Sequence, residues 1–329
     1  MFKTISVACM SFALLCSLAF AQPKGIVGTG NYVVTVANPA FKSGAGPRVL
    51  IDEAHNNYQT MDDRFKGFAD LLSADGARVK PLRERLSAQT LAEADILVIC
   101  NALNEKNANE KRTKDKWLLP APEAFTEDEI KAVRDWVNAG GSLLLIADHM
   151  PFPGAAEKLG DAFGVVMLNN FAFDAAFTYK PGDMNLIKFY RQPGTPNVGK
   201  LRAHSVIDGI KKGESIPFVV SFTGNAFRMR PGIEFAPILE LGRGSRIAWP
   251  SDHVDISMQT PFASAEGLYQ GVVLQPGKGR VAVFGEASMF SVNYAEWMND
   301  YPTGFHNPDA PHNKQFILNL AHWLAKRIK

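Results

Sequence analysis

Two apolar runs in this chain each end in an acid that is followed closely by a histidine. Residues 47–51 lead into Asp52-Glu53-Ala54-His55-Asn56, and residues 143–147 lead into Asp148-His149. Carboxylates beside imidazoles can exchange protons near neutral pH. In an open α/β sheet, ligands bind beyond the carboxyl ends of the parallel strands, so both tails are predicted to face one cleft.

These side chains suit two kinds of chemistry, and the sequence leaves both open. In acid-base catalysis His149 or His55 would carry the proton, and an acid would orient the imidazole, namely Asp52, Glu53 or Glu286. As a metal site, His55, Asp148 and His149 would supply the nitrogen and oxygen donors that suit zinc or another divalent ion. No His-Glu-x-x-His motif supports a metal, and acids at strand ends often hold loops together. The residues predicted to bind a ligand are Asp52, His55, Asn56, Asp148 and Asn313.

Other chemistries have weaker signals in the sequence. No serine lies in a Gly-x-Ser-x-Gly elbow. Cys100 ends an apolar run and is predicted to be an inert buried thiol. Gly28-Thr29-Gly30 and Gly277-Lys278-Gly279 both lack the strand-to-helix context of a phosphate loop, which disfavours nucleotide binding.

A buried sheet must position the two tails. Apolar runs predict strands over residues 47–51, 77–82, 96–100, 143–147 and 165–168, and shorter ones over 236–241, 246–249, 268–274 and 280–284. Capping boxes at Thr60 and Thr126 predict two helices, residues 154–163 a third and the apolar stripe of residues 316–328 a fourth. The alternation predicts a doubly wound, mostly parallel α/β sheet with added C-terminal strands.

Two segments interrupt this alternation. Residues 101–123 are charged, rich in Asn and without periodicity, which predicts a solvated surface insertion. Residues 169–235 are irregular and aromatic, and are predicted to be either a lid beside the cleft or an ordinary packed connection. No repeat or hydrophilic linker divides the chain, so residues 47–329 are predicted to form one domain after a lead-in over residues 22–46.

The first residues predict export. Lys3 precedes an apolar stretch that closes on Ala19-Phe20-Ala21, the pattern of a secretory signal cleaved between Ala21 and Gln22. The protein is thus predicted to be periplasmic or extracellular, with no membrane span. Lys and Arg number 35 against 33 Asp and Glu, a balance that predicts no nucleic-acid partner.

Residues 49–56, 136–150 and 279–290 resemble the class I glutamine amidotransferase-like superfamily, in particular its exported bacterial DUF4350-like branch, which is allied in fold to ThuA-type domains. The resemblance implies a flavodoxin-like sheet. In the amidotransferases a cysteine occupies the sharp turn after the strand that here ends at Ala147, whereas this chain has Asp148-His149 there. Without that thiolate the covalent intermediate cannot form, so glutaminase activity is not expected.

These observations predict an exported α/β protein that binds a polar small molecule or a glycan-derived ligand in the cleft. Aromatic side chains of residues 171–190 would stack on a sugar face. Two alternatives stay open. One is a metal-assisted hydrolase that uses the same acids and histidines, and the other is a non-catalytic scaffold with an envelope protein partner.

Overall fold

The computed structural model describes residues 26–28, 32–175, 185–251 and 259–329, so the predicted signal peptide lies outside the described residues. Within them the strands are β1 (Ile26–Val27), β2 (Arg48–Asp52), β3 (Arg78–Leu82), β4 (Ile96–Cys100), β5 (Ser142–Ile146), β6 (Val165–Met167), β7 (Phe171–Asp174), β8 (Ile187–Tyr190), β9 (Gly199–Leu201), β10 (Phe218–Ser221), β11 (Phe227–Met229), β12 (Ala236–Glu240), β13 (Ser245–Ala248), β14 (Phe262–Ser264), β15 (Tyr269–Leu274), β16 (Arg280–Phe284), β17 (Val292–Ala295) and β18 (Tyr301–Gly304).

The helices of the same residues are α1 (Lys66–Ala74), α2 (Ala88–Leu91), α3 (Glu105–Lys114), α4 (Glu127–Ala139), α5 (Phe152–Ala155), α6 (Glu157–Asp161), α7 (Ser205–Asp208) and α8 (Asn313–Leu324). Short 3₁₀ helices span Ser288–Phe290 and Glu296–Met298. None of the described helices is long and apolar enough to cross a bilayer.

The largest sheet has a parallel core. Its strands follow the order β10-β8-β9-β12-β15-β16-β5-β4-β2-β3. Neighbouring strands from β16 to β3 are all parallel, and β15 and β12 extend the sheet antiparallel. Two smaller sheets have the orders β14-β13-β7 and β1-β17-β18. The prediction of an α/β fold with added C-terminal strands is confirmed at this level.

Apolar side chains cover both faces of the parallel core. Val98 of β4 belongs to one buried cluster, which α1 and α8 join. Its neighbour Leu97 points the other way, into a second cluster with α2, α4 and α6. Because successive strand residues face opposite sides, only a run that is apolar throughout can be buried on both faces.

Of the two predicted capping boxes, one is confirmed and one is wrong. Thr126 Oγ1 accepts from the backbone N–H of Glu129 and the Glu129 side chain accepts from that of Thr126, which starts α4. Near Thr60 no helix begins: α1 starts at Lys66, after Phe65, without a side-chain cap. The loop is shaped instead by Glu53 Oε1, which accepts from Met61 N at 2.8 Å.

The two interrupting segments contain more regular structure than the sequence predicted. The region 101–123 holds α3, which Asn104 caps. Its residues are almost all polar and mostly exposed, so the helix has no apolar stripe from which periodicity could be recognised. The region 169–235 holds β7 to β11 and α7. Of its predicted aromatic side chains, Phe177 and Tyr179 lie outside the described residues.

Candidate functional site

Asp52 and His55, the first predicted pair, form a buried ion-paired bridge. His55 Nδ1 lies 2.9 Å from each carboxylate oxygen of Asp52, which ends β2. His55 Nε2 lies 3.0 Å from Glu129 Oε1, in the first turn of α4. Burial by itself lowers the pKa of His55, but the hydrogen bonds and charges of the two carboxylates outweigh it, and the pKa is raised. Each ring nitrogen of His55 is thus hydrogen-bonded to a carboxylate, Nδ1 to Asp52 and Nε2 to Glu129.

The carboxylates of this bridge are satisfied as well. Asn57 Nδ2 donates to Asp52 Oδ2 and to the carbonyl oxygen of Cys100, both at 3.1 Å. Thr126 Oγ1 donates to Glu129 Oε2 at 2.9 Å. The bridge thus joins the ends of β2 and β4 to α4, and it leaves Asp52 and His55 no free polar atom to offer a ligand or a metal.

Glu53 and Asn56, also predicted for the site, lie in the loop after β2. The carboxylate of Glu53 accepts from Met61 N and, at 3.1 Å, from Arg83 Nε. Asn56 is half-buried and has a left-handed backbone, with φ 47°, a conformation that asparagine tolerates better than most residues. Glu53 is therefore used to hold the loop, while Asn56 shapes its turn.

Asn313, predicted as a ligand-binding residue, belongs to a different part of the sheet. Its buried amide accepts from Val220 N at 3.0 Å and donates to Val220 O at 2.7 Å. Val220 lies on β10, the last strand at one edge of the large sheet. The side chain of Asn313 therefore pairs with that strand as a neighbouring strand would.

The structure does bring Asp148 and Glu286 together, because the neighbouring strands β5 and β16 end beside each other. Asp148 Oδ2 accepts from Ala287 N at 3.1 Å, and Glu286 accepts from Ser288 N and Met289 N. Burial, and next the charge of Asp148, raise the pKa of Glu286 to about 8. The protonated form of Glu286 is therefore favoured to a higher pH than in an exposed glutamate.

The sequence analysis missed Asn225, which lies against this pair. Its fully buried amide donates to the carbonyl oxygens of Ala147 and, at 3.2 Å, Asp148. The preceding Gly224 has φ +88°, and a Cβ there would lie 2.2 Å from the carbonyl oxygen of Gly285. Glycine thus permits the close approach. A Gly-Asn dipeptide indicates only a local turn, so no sequence signal revealed this contact.

His149 differs from His55 in that one of its ring nitrogens, Nε2, has no hydrogen-bond partner among the residues that the structure describes. Its Nδ1 lies 2.8 Å from the carbonyl oxygen of Met150. A carbonyl only accepts, so Nδ1 carries the hydrogen and Nε2 is left as an acceptor. The half-buried ring stacks on Phe171, with ring centres 4.4 Å apart and planes 14° from parallel.

Around His149 five rings form a series, which we call the aromatic row: Trp117, Tyr58, Phe152, His149 and Phe171. Successive ring centres are 5.7, 5.2, 6.0 and 4.4 Å apart. The first three rings follow β4, β2 and β5 in the chain, so the row lies at the carboxyl ends of these strands. Phe171 was predicted from the sequence, whereas Trp117, Tyr58 and Phe152 were not, because they come from three segments that are far apart in the chain.

The other described aromatic side chains of the predicted segment lie elsewhere. Phe173 packs on Phe262, with ring centres 5.6 Å apart. Phe189 is fully buried in the core. Tyr190, on the same strand, packs on Phe218, with ring centres 5.5 Å apart. Among described residues, therefore, the predicted segment 171–190 contributes Phe171 to the row.

The described residues do not assemble the predicted metal site, and the thiol of Cys100 is not exposed. No group of three or more His, Cys, Asp or Glu side chains among them is arranged to hold a metal ion, and His55, Asp148 and His149 do not form a ligand set. Cys100 is fully buried at the end of β4. Burial, and next the charges of Asp148 and Glu286, raise the pKa of its thiol well above the ordinary value.

Comparison with known proteins identifies the fold. No protein-family model and no curated protein sequence matches this chain. The mmIFT52 N-terminal domain aligns at 12% identity and TM-score 0.56, over 84% of this chain and 97% of that chain. A protein described as thuA-like from Bacteroides uniformis aligns at 12% identity and TM-score 0.47, over 89% and 97% of the two chains.

A third structural neighbour, from Thermoplasma acidophilum, is described as a component of GMP synthase. It aligns at 9% identity and TM-score 0.37, over 85% of this chain and 94% of that chain. The structural neighbours thus include one protein described as thuA-like and one described as a GMP synthase subunit. The likeness to the mmIFT52 N-terminal domain is the strongest of the three, and it shows that the two chains share a fold.

Proposed function

We propose that this protein binds a small polar ligand with a flat apolar face, such as a glycan-derived molecule, at the carboxyl ends of β2, β4 and β5. The aromatic row is the observation that carries the proposal. Ligand sites combine apolar and aromatic walls with a few well-placed polar groups. Trp117, Tyr58 and His149 are half-buried and supply such a wall, while Phe152 and Phe171 are buried. His149 Nε2 supplies a hydrogen-bond acceptor within it.

The position of the row supports this proposal. We also propose that the parallel core is flavodoxin-like and doubly wound, a proposal that the order 2-1-3-4-5 of the strands β3-β2-β4-β5-β16 along the chain supports. In that order, β3 is added to one side of β2 and β4 to the other, so the direction in which successive strands are added reverses between β2 and β4. Ligands bind at such switch points. Tyr58 N donates to the carbonyl oxygen of Asn101 at 3.1 Å, which places Tyr58 across the ends of these two strands.

We further propose that the protein has no glutaminase activity. The turn after β5 carries Asp148 and His149, and neither provides the thiolate that the reaction requires. Cys100 cannot replace it, since its thiol is buried inside the sheet and its pKa is raised. The metal-assisted hydrolase and the envelope scaffold are each favoured by no specific contact among the described residues.

Export, and membership of the DUF4350-like branch, are proposed from the sequence alone. The pattern from Lys3 to Ala21 supports export. Amino-terminal sequencing of the protein recovered from a cell envelope fraction should begin at Gln22. Recovery of the intact chain from Met1 in the cytoplasm would contradict export without affecting the proposed ligand site.

The binding proposal can be tested by titrating the protein with a panel of monosaccharides and oligosaccharides and measuring binding by calorimetry and by tryptophan fluorescence. We expect saturable binding by at least one saccharide. Trp117→Ala should weaken it about tenfold or more, because one aromatic contact surface is lost. Trp136→Ala is the matched control. Trp136 lines a groove with Ser142, the first residue of β5, and therefore lies at the amino ends of the strands, away from the row.

Circular dichroism and thermal unfolding of both variants would show that they are folded. Absence of binding across the whole panel would contradict the proposed function. Equal weakening by the two substitutions would show that the ligand does not use the aromatic row.

A further inference from the structure

We propose that the ligand carries an oxyanion, most simply a sugar carboxylate, and that Arg64 binds it at the end of the aromatic row. The inference rests on the proposed function and assigns the ligand to a class, the acidic sugars. Arg64 lies in the loop between β2 and α1, on the same edge of the sheet as the row.

Arg64 packs on Tyr58, a ring of the aromatic row, without an acidic partner among the described residues. Its half-buried guanidinium lies 5.2 Å from the centre of the Tyr58 ring. No carboxylate of the described residues forms an ion pair with it. Other cations nearby are paired: Arg83 lies 3.1 Å from Glu53 and 3.4 Å from Asp62.

The other cation on the row is also paired. Lys111 lies 5.2 Å from the centre of the Trp117 ring, and its ammonium forms an ion pair with Asp115. Two cations thus contact adjacent rings of the row, and they differ in that Lys111 has an acidic partner while Arg64 has none among the described residues.

An unpaired guanidinium in this position is suited to an anion. Partial burial removes hydration from the charge, which is unfavourable unless another group compensates. Contact with the face of Tyr58 compensates in part, and it leaves the N–H groups at the edge of the planar guanidinium available. Those groups match the two oxygens of a carboxylate.

The distance between Arg64 and Tyr58 selects the kind of ligand. Arg64 covers one face of the Tyr58 ring, so a ligand would contact the remaining exposed surface of that ring, and a carboxylate at Arg64 would be adjacent to it. A hexuronic acid has this arrangement, because its carboxylate is attached directly to the sugar ring. A phosphorylated sugar offers the same oxyanion chemistry but carries more charge, and we favour the carboxylate because a single guanidinium faces the position.

The test compares each acidic sugar with its neutral counterpart by calorimetric titration of the full protein. The pairs are glucuronate with glucose, galacturonate with galactose and mannuronate with mannose, and the three hexose 6-phosphates form a separate arm. We expect one hexuronate to bind about tenfold tighter than its neutral counterpart, the effect of one charge-assisted contact. Added salt should reduce this preference.

The variants separate the role of Arg64 from general effects. Arg64→Gln should abolish the preference for the acid and leave the affinity for the neutral sugar within about twofold, and Arg64→Lys should keep part of the preference. Arg83→Gln, which removes a paired arginine, should retain it. Thermal unfolding would confirm that all three proteins are folded.

The outcomes distinguish failure of the carboxylate assignment from failure of the proposed function. Neutral sugars that bind as tightly as the acids, or a preference that survives in Arg64→Gln, would overturn the carboxylate assignment while the proposed function stands. Tighter binding of the 6-phosphates would identify phosphate as the anion and likewise overturn it. Failure of every saccharide, acidic or neutral, to bind in a Trp117-dependent way would overturn both proposals.

Discussion

His55 Nε2 lies 3.0 Å from Oε1 of Glu129, a residue 74 positions further along the chain. The other nitrogen of the same ring contacts Asp52. An imidazole held between two buried carboxylates is fixed in orientation and charge, and it connects the end of β2 to the first turn of α4. A residue that resembles a catalytic histidine in the sequence therefore functions in the structure as a connection between elements.

Removal of this connection should cost stability. In His55→Ala, Asp52 and Glu129 would stay buried while losing their shared partner, so we expect the free energy of unfolding to fall by about 3–5 kcal/mol. Urea denaturation would measure it. Lys131→Ala is the control, because Lys131 pairs with Asp135 on the exposed side of α4 and should cost about 0–1 kcal/mol. A loss below about 1 kcal/mol for His55→Ala would contradict this interpretation.

The contact between His55 and Glu129 shows which part of this region could be predicted from the sequence and which part could not. The capping box at Thr126 is a local pattern, and it predicted both the start of α4 and the position of Glu129. The contact between Glu129 and His55 depends on how α4 packs on the sheet. Nothing in the spacing of the two residues indicates that contact, so the sequence placed His55 in a cleft rather than in a bridge.

The buried Glu286 should make stability depend on pH. Burial and the charge of Asp148 raise its pKa from 4.5 to about 8 in the folded protein. Between these values the folded state holds a proton that the unfolded chain has released. The stabilisation is therefore complete below about pH 4.5 and is lost as the pH rises through about 8.

Glu286→Gln should accordingly flatten the fall in melting temperature between about pH 5 and about pH 8, even though the variant is less stable overall. Some slope should remain, because burial also raises the pKa of Glu123 to about 7, which acts in the same direction. Glu123→Gln would measure that share. An unchanged slope in Glu286→Gln would show that Glu286 is ionised in the folded protein.

The role of His149 Nε2 as a hydrogen-bond acceptor can be tested separately from the stacking of the ring on Phe171. His149→Phe should keep the stacking on Phe171 but remove the Nε2 acceptor, so ligand affinity should fall about tenfold while stability changes by about 1 kcal/mol. Titration calorimetry and urea denaturation would measure the two effects. Phe262→Leu, which alters an exposed ring on β14, is the control. Undiminished affinity in His149→Phe would exclude the nitrogen from the site.

The aromatic row could not have been predicted from the chain. Tyr58, Trp117 and Phe152 follow three different strands and become neighbours only because β2, β4 and β5 are adjacent and parallel. A polar helix, α3, precedes Trp117 and has no apolar stripe to reveal it. The strands themselves were predictable, since burial on both faces requires unbroken apolar runs such as that of β4. The edge of the sheet was therefore foreseeable, but most of the side chains on it were not.

Substitution of Asn313 should change the stability of the protein without changing its ligand affinity. The amide of Asn313 satisfies both backbone groups of the buried Val220, so Asn313→Ala should leave two polar groups unpaired and cost about 2–3 kcal/mol in urea denaturation. Asn109→Ala, at an exposed position of α3, should cost less than about 1 kcal/mol. Ligand affinity should be unchanged in both, because neither residue contacts the described part of the aromatic row. A loss of affinity in Asn313→Ala without a loss of stability would instead support the ligand-binding role that the sequence predicted for this residue.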